Sequence, residues 1–523
     1  MELTLPRRDF LFMTASAALP VRAQKPAASM TLLLDQEIAR IDPLIYSHFV
    51  EHIGRVVYEG IWVGPDSKIP NRDGIRLDVL EALRRVQPAS FRWPGGCFAD
   101  TYHWEDGVGP PDKRVARHNH WWLREEPNTF GTDEFLAFCR TLNAEPYLSL
   151  NVGSGSLGEA LDWVQYCNGT DRIGYAAMRG RNGHPAPYNV KWWGVGNETW
   201  GCGGSMTPAG YAELFRRYGV YLKRLGMTQG LDLVGVGHNT PDWNTKFLGA
   251  LGGGLPFLDH LSIHQYFRFG DSTRFSDAEY LKLMFELGNF EKLIASSIAA
   301  IEEVEPARSR IRLFGDLKTK PVGLVIDEWG VWHSDSQFSD GFSQKGVLRD
   351  ALFAASALNL FHQYAKRITM TNIAQVDNCL HSLIVTQGAR MALTPTFHVY
   401  EMYRPHQGAT AVRVEQDSAP SLAMAGGTRP AVSVSASKRD GSVLITLVNQ
   451  NPTEDFDLEL RLRGARVAEA TGTVLTGSDV RSLNTVDQPE VVKPKPWKAT
   501  AAGDLVRTRL PARSVEAIQV RLG

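Results

Sequence analysis

Eight short apolar runs, separated by helical segments over more than three hundred residues, constrain this chain more than any other feature. The runs fall near residues 45–52, 89–94, 145–151, 191–197, 233–238, 260–266, 322–327 and 367–374. Helical periodicity marks 75–86, 133–142, 157–166, 208–225, 278–302 and 347–364, with only a short candidate, 243–251, after the fifth run. Thr207-Pro208 supplies a capping hydroxyl and a proline at the first helical position. Strand–helix alternation of this length predicts an α/β fold with a parallel sheet closed into a (β/α)8 TIM barrel. A doubly wound open sheet is the alternative. Neither G-x-G-x-x-G nor G-x-x-x-x-G-K-[ST] follows any run, so nothing supports a nucleotide site.

Beyond about Tyr403 the helical period stops. Val432-Ser433-Val434-Ser435-Ala436-Ser437 alternates, and Lys438-Arg439-Asp440-Gly441 turns the chain into a second alternating run. Such hairpin grammar predicts a C-terminal β-sandwich. At 523 residues the chain is too long for one ordinary core. The expected divisions are a leader at 1–23, an N-terminal strand at 30–44, a catalytic barrel at 45–402 and the sandwich at 403–523.

The leader reads Arg7-Arg8, then a modest apolar run, then Val21-Arg22-Ala23. This resembles a twin-arginine export signal, which predicts a periplasmic or secreted protein. No other apolar stretch reaches membrane-spanning length. With 56 basic against 57 acidic residues, the charge balance calls for no nucleic-acid partner. The five cysteines form no C-x-x-C. Cys139 and Cys167 fall in helices and read as core. Cys97 and Cys202 both follow strand ends, and geometry must decide whether they pair.

Two runs close on a glutamate beside a tryptophan: Asn197-Glu198-Thr199-Trp200 and Asp327-Glu328-Trp329. A carboxylate that closes a buried strand is either paired or chemically active, because an uncompensated buried charge is costly. Barrel active sites form at the C-terminal strand ends. Those ends here carry His48 and Glu51-His52, Arg92 and Cys97, Asn197-Glu198, His264 and Tyr266, Glu328, and Gln375. Two glutamates without a metal cluster predict glycoside hydrolysis, with no metal and no cofactor required. The acid must stay protonated near working pH. Asn197 can reach a sugar 2-hydroxyl, Tyr266 can orient the nucleophile, and Arg92 can keep it ionised.

The stretches Ser47-His48-Phe49-Val50-Glu51-His52-Ile53-Gly54, Arg92-Trp93-Pro94-Gly95-Gly96, Tyr102-His103-Trp104-Glu105-Asp106-Gly107 and Gly194-Val195-Gly196-Asn197-Glu198, with Asp327-Glu328-Trp329, together resemble glycoside hydrolase family 51. The resemblance implies a retaining α-L-arabinofuranosidase with Glu198 as acid/base and Glu328 as nucleophile. It places Glu51, Arg92, Asn197, His264, Tyr266 and Gln375 in the arabinose subsite, with Trp122 over the sugar; Trp121 is the alternative one position away. It further implies that the N-terminal strand joins a jelly-roll-like C-terminal sandwich, and that the assembly is a homo-oligomer, commonly a hexamer. The expected partner is an arabinofuranose-containing polysaccharide or oligosaccharide.

One position departs from the pattern. Many members carry Asn after Pro-Gly-Gly, where this chain has Cys97. That removes an amide donor from the expected subsite and leaves the sugar preference open. The competing readings are a retaining glycosidase for another furanoside, an endo-β-glucanase, and a non-catalytic carbohydrate-binding protein.

Overall fold

A computed structural model describes residues 28–226, 230–311, 320–424 and 427–523. The expected leader at 1–23 lies outside them. Eight parallel strands close into a barrel: Ser47–Phe49, Ser90–Trp93, Glu145–Ser149, Trp192–Val195, Asp232–Val236, His260–Phe267, Gly323–Val331 and Ile368–Ile373. The last strand pairs with the first, which excludes the open-sheet alternative. Each expected run overlaps one barrel strand. Such strands are covered on both faces, so they read as apolar runs rather than alternations; the seventh is buried at all its positions.

The connecting helices form where their sequences start them. Pro208 opens the helix Pro208–Gly226, and Thr207 Oγ1 accepts the Gly210 N–H at 3.1 Å. Ser276 and Glu279 cap the helix Asp277–Arg308 reciprocally. Two helices had no readable period. Gly174–Arg181 is short and glycine-containing. Pro395–Tyr403 is buried almost all round, between barrel helices and the C-terminal domain, so it shows no polar face.

Between Val325 and Trp329 the seventh strand carries one more residue than its neighbours. Ser262 pairs with Val325, yet His264 pairs with Glu328. On the other side Ile326 pairs with Thr371, yet Trp329 pairs with Ile373. This bulge breaks the in–out alternation. It turns both Asp327 and Glu328 toward the partners of one site, where a regular strand would send them to opposite faces. Beneath it, Tyr147, Trp192, Val234, Val325 and Met370 pack together, with Leu44 against them.

The C-terminal domain is one ten-stranded sheet that folds over its own core. The N-terminal strand Ala28–Arg40 runs through it, antiparallel to Thr410–Ser418 and parallel to Phe456–Arg463. Barrel and sheet meet along the buried helix Leu348–Gln363. The contact is polar as well as apolar. His362 bridges Tyr46 and Ser435, each at 2.8 Å. Asn359 Oδ1 accepts the Thr446 hydroxyl at 2.8 Å, and His406 bridges Ser437 and Thr446 at 2.7 and 3.1 Å. No helix among the described residues is long and apolar enough to cross a membrane.

Candidate active site

The C-terminal strand ends bring the expected residues to one rim. Glu198 sits in the turn after the fourth strand with φ of 37°, a left-handed backbone uncommon for a side-chain-bearing residue. Gly196 makes the turn possible: its φ is 93°, and a Cβ there would stand 2.5 Å from Val152 Cγ2. Glu328 enters from the bulge in the seventh strand. The Glu198 side chain is 19% exposed and that of Glu328 only 6%. The first faces the opening and the second lies in the floor.

His264 lies between the carboxyls. Its Nδ1 is 2.9 Å from Glu198 Oε1 and 3.5 Å from Glu328 Oε1, and its Nε2 is 3.1 Å from Asp327 Oδ1. Burial alone would lower its pKa, but the charges of Glu328 and Asp327 raise it to about 10. The ring is therefore a cation at neutral pH, with both nitrogens donating. A ligand atom of each of Glu198, His264 and Glu328 lies within 4.8 Å of the others. The protonated ring offers no lone pair, so this trio does not suit a cation while His264 is charged.

Arg92 ties the floor together. Its guanidinium donates to Glu328 Oε1 at 2.7 Å and to Asn197 Oδ1 at 2.6 Å, and its Nε is 3.4 Å from Asp327 Oδ2. Because Arg92 occupies the Asn197 oxygen, the amide –NH2 is the end left to face a ligand. Burial works against ionised Asp327, yet Arg92 and His264 hold its carboxyl well below the usual range. Tyr147 donates to its Oδ2 at 2.8 Å, and Ser262 donates to the other oxygen. Glu328 is under opposed influences. Burial pushes its carboxyl up and Glu198 reinforces the rise, while His264 and Arg92 oppose it. Arg92 thus favours the Glu328 carboxylate against the effect of burial. Tyr266 donates to Glu328 Oε2 at 2.9 Å.

Glu51 stands opposite. The backbone passes between it and Glu328 at Gly96, where a Cβ would be 3.0 Å from Glu51 Oε2 and 3.2 Å from Glu328 Oε1. Glu51 Oε1 accepts the Phe98 N–H at 3.2 Å and the Trp122 indole N–H at 3.1 Å. Gln375 donates to Oε2 at 3.3 Å and accepts the Glu51 N–H at 3.1 Å. Burial and the Glu328 charge push the Glu51 carboxyl up to about 8. Trp122 rather than Trp121, both in the turn between the short strands Arg117–Asn119 and Arg124–Glu126, reaches Glu51; the Trp121 indole nitrogen is buried without a partner. Trp122 packs edge-on against Phe342, which packs against Trp332, which meets Tyr266.

Cys97 is not a thiol. It forms a disulfide with Cys202, joining the loops after the second and fourth strands with Cα atoms 5.6 Å apart. No S–H donor replaces the missing amide.

Sequence reasoning missed the supports. Asp327, beside Glu328, showed only as part of a motif. Asp100 gave no signal: it is buried and accepts the Val152 and Gly153 N–H groups at 3.1 and 3.0 Å, beside the Asn197 turn. His48, named among the strand ends, lies away from the rim, buried between Phe91 and Tyr400.

Similarity to known proteins agrees with this geometry. Two family models match, the alpha-L-arabinofuranosidase 1 domain over residues 82–268 and the alpha-L-arabinofuranosidase C-terminal domain over residues 327–514. An intracellular exo-alpha-L-arabinofuranosidase of Bacteroides ovatus is 36% identical over 522 residues, covering 98% of each chain. The structure of a GH51 arabinofuranosidase from Xanthomonas axonopodis pv. citri superposes with a TM-score of 0.89 at 35% identity, covering 95% of this chain and 100% of that one. The arabinose complex of the Thermotoga maritima α-L-arabinofuranosidase gives 0.83 at 32% identity, covering 95% and 100%. The chain belongs to glycoside hydrolase family 51, the α-L-arabinofuranosidases.

Proposed function

We propose that the protein removes terminal non-reducing α-L-arabinofuranosyl residues from arabinan, arabinoxylan or arabino-oligosaccharides, by a double displacement with retained configuration. The observation that carries this reading is the close pair of glutamates. A carboxyl oxygen of Glu198 and one of Glu328 lie within 4.8 Å, and one nitrogen, His264 Nδ1, reaches both at 2.9 and 3.5 Å, which supports the close carboxyl pair of a retaining enzyme, roughly 5–5.5 Å, over the wider spacing that admits water in inverting ones.

Glu328, held in the floor by Arg92 and Tyr266, attacks the anomeric carbon. Glu198, on the open side, gives its proton to the departing oxygen. The same carboxylate then takes a proton from the water that releases the sugar. His264, with Nδ1 2.9 Å from Glu198 Oε1, fixes the orientation of that carboxyl. Asn197 and Glu51 meet sugar hydroxyls, and Trp122 covers the ring. The Trp122, Phe342 and Trp332 wall narrows the mouth and supports an exo mode over the open cleft of an endo-glucanase.

The test is proton NMR of the reaction on an arabino-oligosaccharide. The α anomer of arabinofuranose appears first and mutarotates afterwards; an initial β anomer rules the double displacement out.

We further propose export, on the twin-arginine leader. The Cys97–Cys202 disulfide supports an oxidising compartment, although the Bacteroides ovatus relative is described as intracellular. Mass analysis of the protein recovered from the periplasm tests it: loss of the first 23 residues is expected, and a full-length cytoplasmic chain contradicts it. A homo-oligomer is the assembly the resemblance implies, and sedimentation velocity measures it.

A further inference from the structure

We infer that the Cys97–Cys202 disulfide is a positioning element of the reaction: it sets the Glu198 carboxyl at the reacting centre, so turnover depends on its oxidation state. The inference rests on Glu198 being the acid/base.

Three observations carry it. First, Cys202 Sγ lies 3.6 Å from Asn197 Nδ2 and 3.7 Å from Glu198 Oε2. The sulfur is thus in contact with both groups, and as a disulfide sulfur it has no proton to give. Secondly, apart from Trp200, whose indole N–H donates to the Gly237 carbonyl at 2.9 Å and whose ring packs against His238, the loop holds chiefly to itself. Trp200-Gly201-Cys202-Gly203-Gly204 is glycine-rich, and glycine loses more freedom on ordering than any other residue. Its internal ties run back to the same segment: the Gly201 and Gly203 N–H groups both bond the Glu198 carbonyl, at 2.7 and 3.1 Å. The disulfide links this loop to one 105 residues away. Thirdly, the pair can be reached. Cys97 and Cys202 are partly exposed, whereas Cys139, Cys167 and Cys379 are buried.

Reduction by a dithiol breaks the S–S bond and forms two S–H bonds. The two electrons and two protons come from the reductant, which closes its own disulfide. Two unbonded sulfurs cannot stay at bonding distance. Either the loops part, or Cys202 is driven toward Asn197 and Glu198. A Cys202 thiol would also become a donor facing Glu198 Oε2, a hydrogen bond that the disulfide sulfur cannot make.

The experiment compares the oxidised protein, the protein reduced without denaturant, and the Cys97→Ser/Cys202→Ser double variant. Thiol titration first counts the two new thiols; the double variant supplies the open state if reductant fails to reach the bond. kcat/KM is measured on 4-nitrophenyl α-L-arabinofuranoside and on arabinobiose, with and without azide. The expected result is a loss of at least tenfold on arabinobiose and under threefold on the aryl glycoside in the open states. Azide raises the aryl kcat only in those states, and reoxidation restores the reduced protein. Unchanged arabinobiose turnover overturns the inference. So does an equal loss on both substrates without azide response, which marks a merely structural bond. If the oxidised protein cleaves neither substrate, the arabinofuranosidase reading itself fails, and this inference with it.

Discussion

His264 Nδ1 stands 2.9 Å from Glu198 Oε1, while the opposite ring nitrogen is fixed 3.1 Å from Asp327. One buried cation thus connects the proposed acid/base to the carboxylate beneath the proposed nucleophile. Replacing it with glutamine leaves Asp327 and Glu198 short of a charge partner, and breaking such a buried pair costs about 3–5 kcal/mol. The pH dependence has a definite sign. The folded pKa, about 10, lies above the unfolded value of about 6.5. The stabilisation is therefore complete below the unfolded value and is lost as pH rises through about 10. Melting temperature should fall over that window in the native protein and less steeply in His264→Gln. Parallel slopes would remove the charge from His264.

Glu51 supplies the alkaline limb of activity. Its carboxyl, pushed up to about 8, is neutral at pH 7, and it ionises against Glu328 as pH rises. kcat/KM should decline through about pH 8, and Glu51→Gln, which stays neutral, should flatten that decline while retaining a partner for Gln375. A limb unmoved in Glu51→Gln would assign it to another group.

The two glutamates should separate by substrate. Glu328→Gln removes the covalent step and should lower turnover of every substrate by on the order of 10⁴-fold or more. Glu198→Ala should lose about 10²–10⁴-fold on natural linkages and far less in kcat/KM on aryl glycosides, whose leaving groups need little protonation. Azide should accelerate the aryl reaction of Glu198→Ala. Uniform loss in Glu198→Ala, with no azide response, would contradict the role.

Acid should loosen the joint between barrel and sandwich. Burial lowers His362 to about 3 and His406 well below the ordinary range. Both are neutral in the folded protein and take up protons on unfolding. Their stabilisation is therefore present above about pH 6.5 and is lost progressively as pH falls toward 3. His362→Gln keeps a donor and an acceptor between Tyr46 and Ser435, and should reduce the fall in melting temperature between pH 7 and 4. An unchanged acid slope would place the sensitivity elsewhere.

The barrel was legible because parallel strands buried on both faces leave apolar runs, and most rim residues because they lie near the end of such a run or directly after it; Trp122 was reached only through the family resemblance. The bulge at Asp327–Glu328 was not legible. A sequence does not show that one strand carries an extra residue against its neighbours, yet that residue lets two consecutive acids serve one site. The Cys97–Cys202 bond was readable only as a possibility, since strand ends suggest proximity but not Cβ direction. Asp100 and Tyr147 look like ordinary core positions in sequence; their importance lies in partners brought together by barrel closure. The helix Pro395–Tyr403 failed for the opposite reason, being buried too completely to show a period.

The most direct test of the central claim is hydrolysis of 4-nitrophenyl α-L-arabinofuranoside by the purified, oxidised protein. The β-D-glucopyranoside, β-D-xylopyranoside and β-D-galactofuranoside analogues are run alongside. Strong turnover of the arabinofuranoside, with the other three near background, is the predicted result. Turnover of another glycoside in its place would contradict the assignment and show that the subsite beside the Cys97–Cys202 wall selects a different sugar.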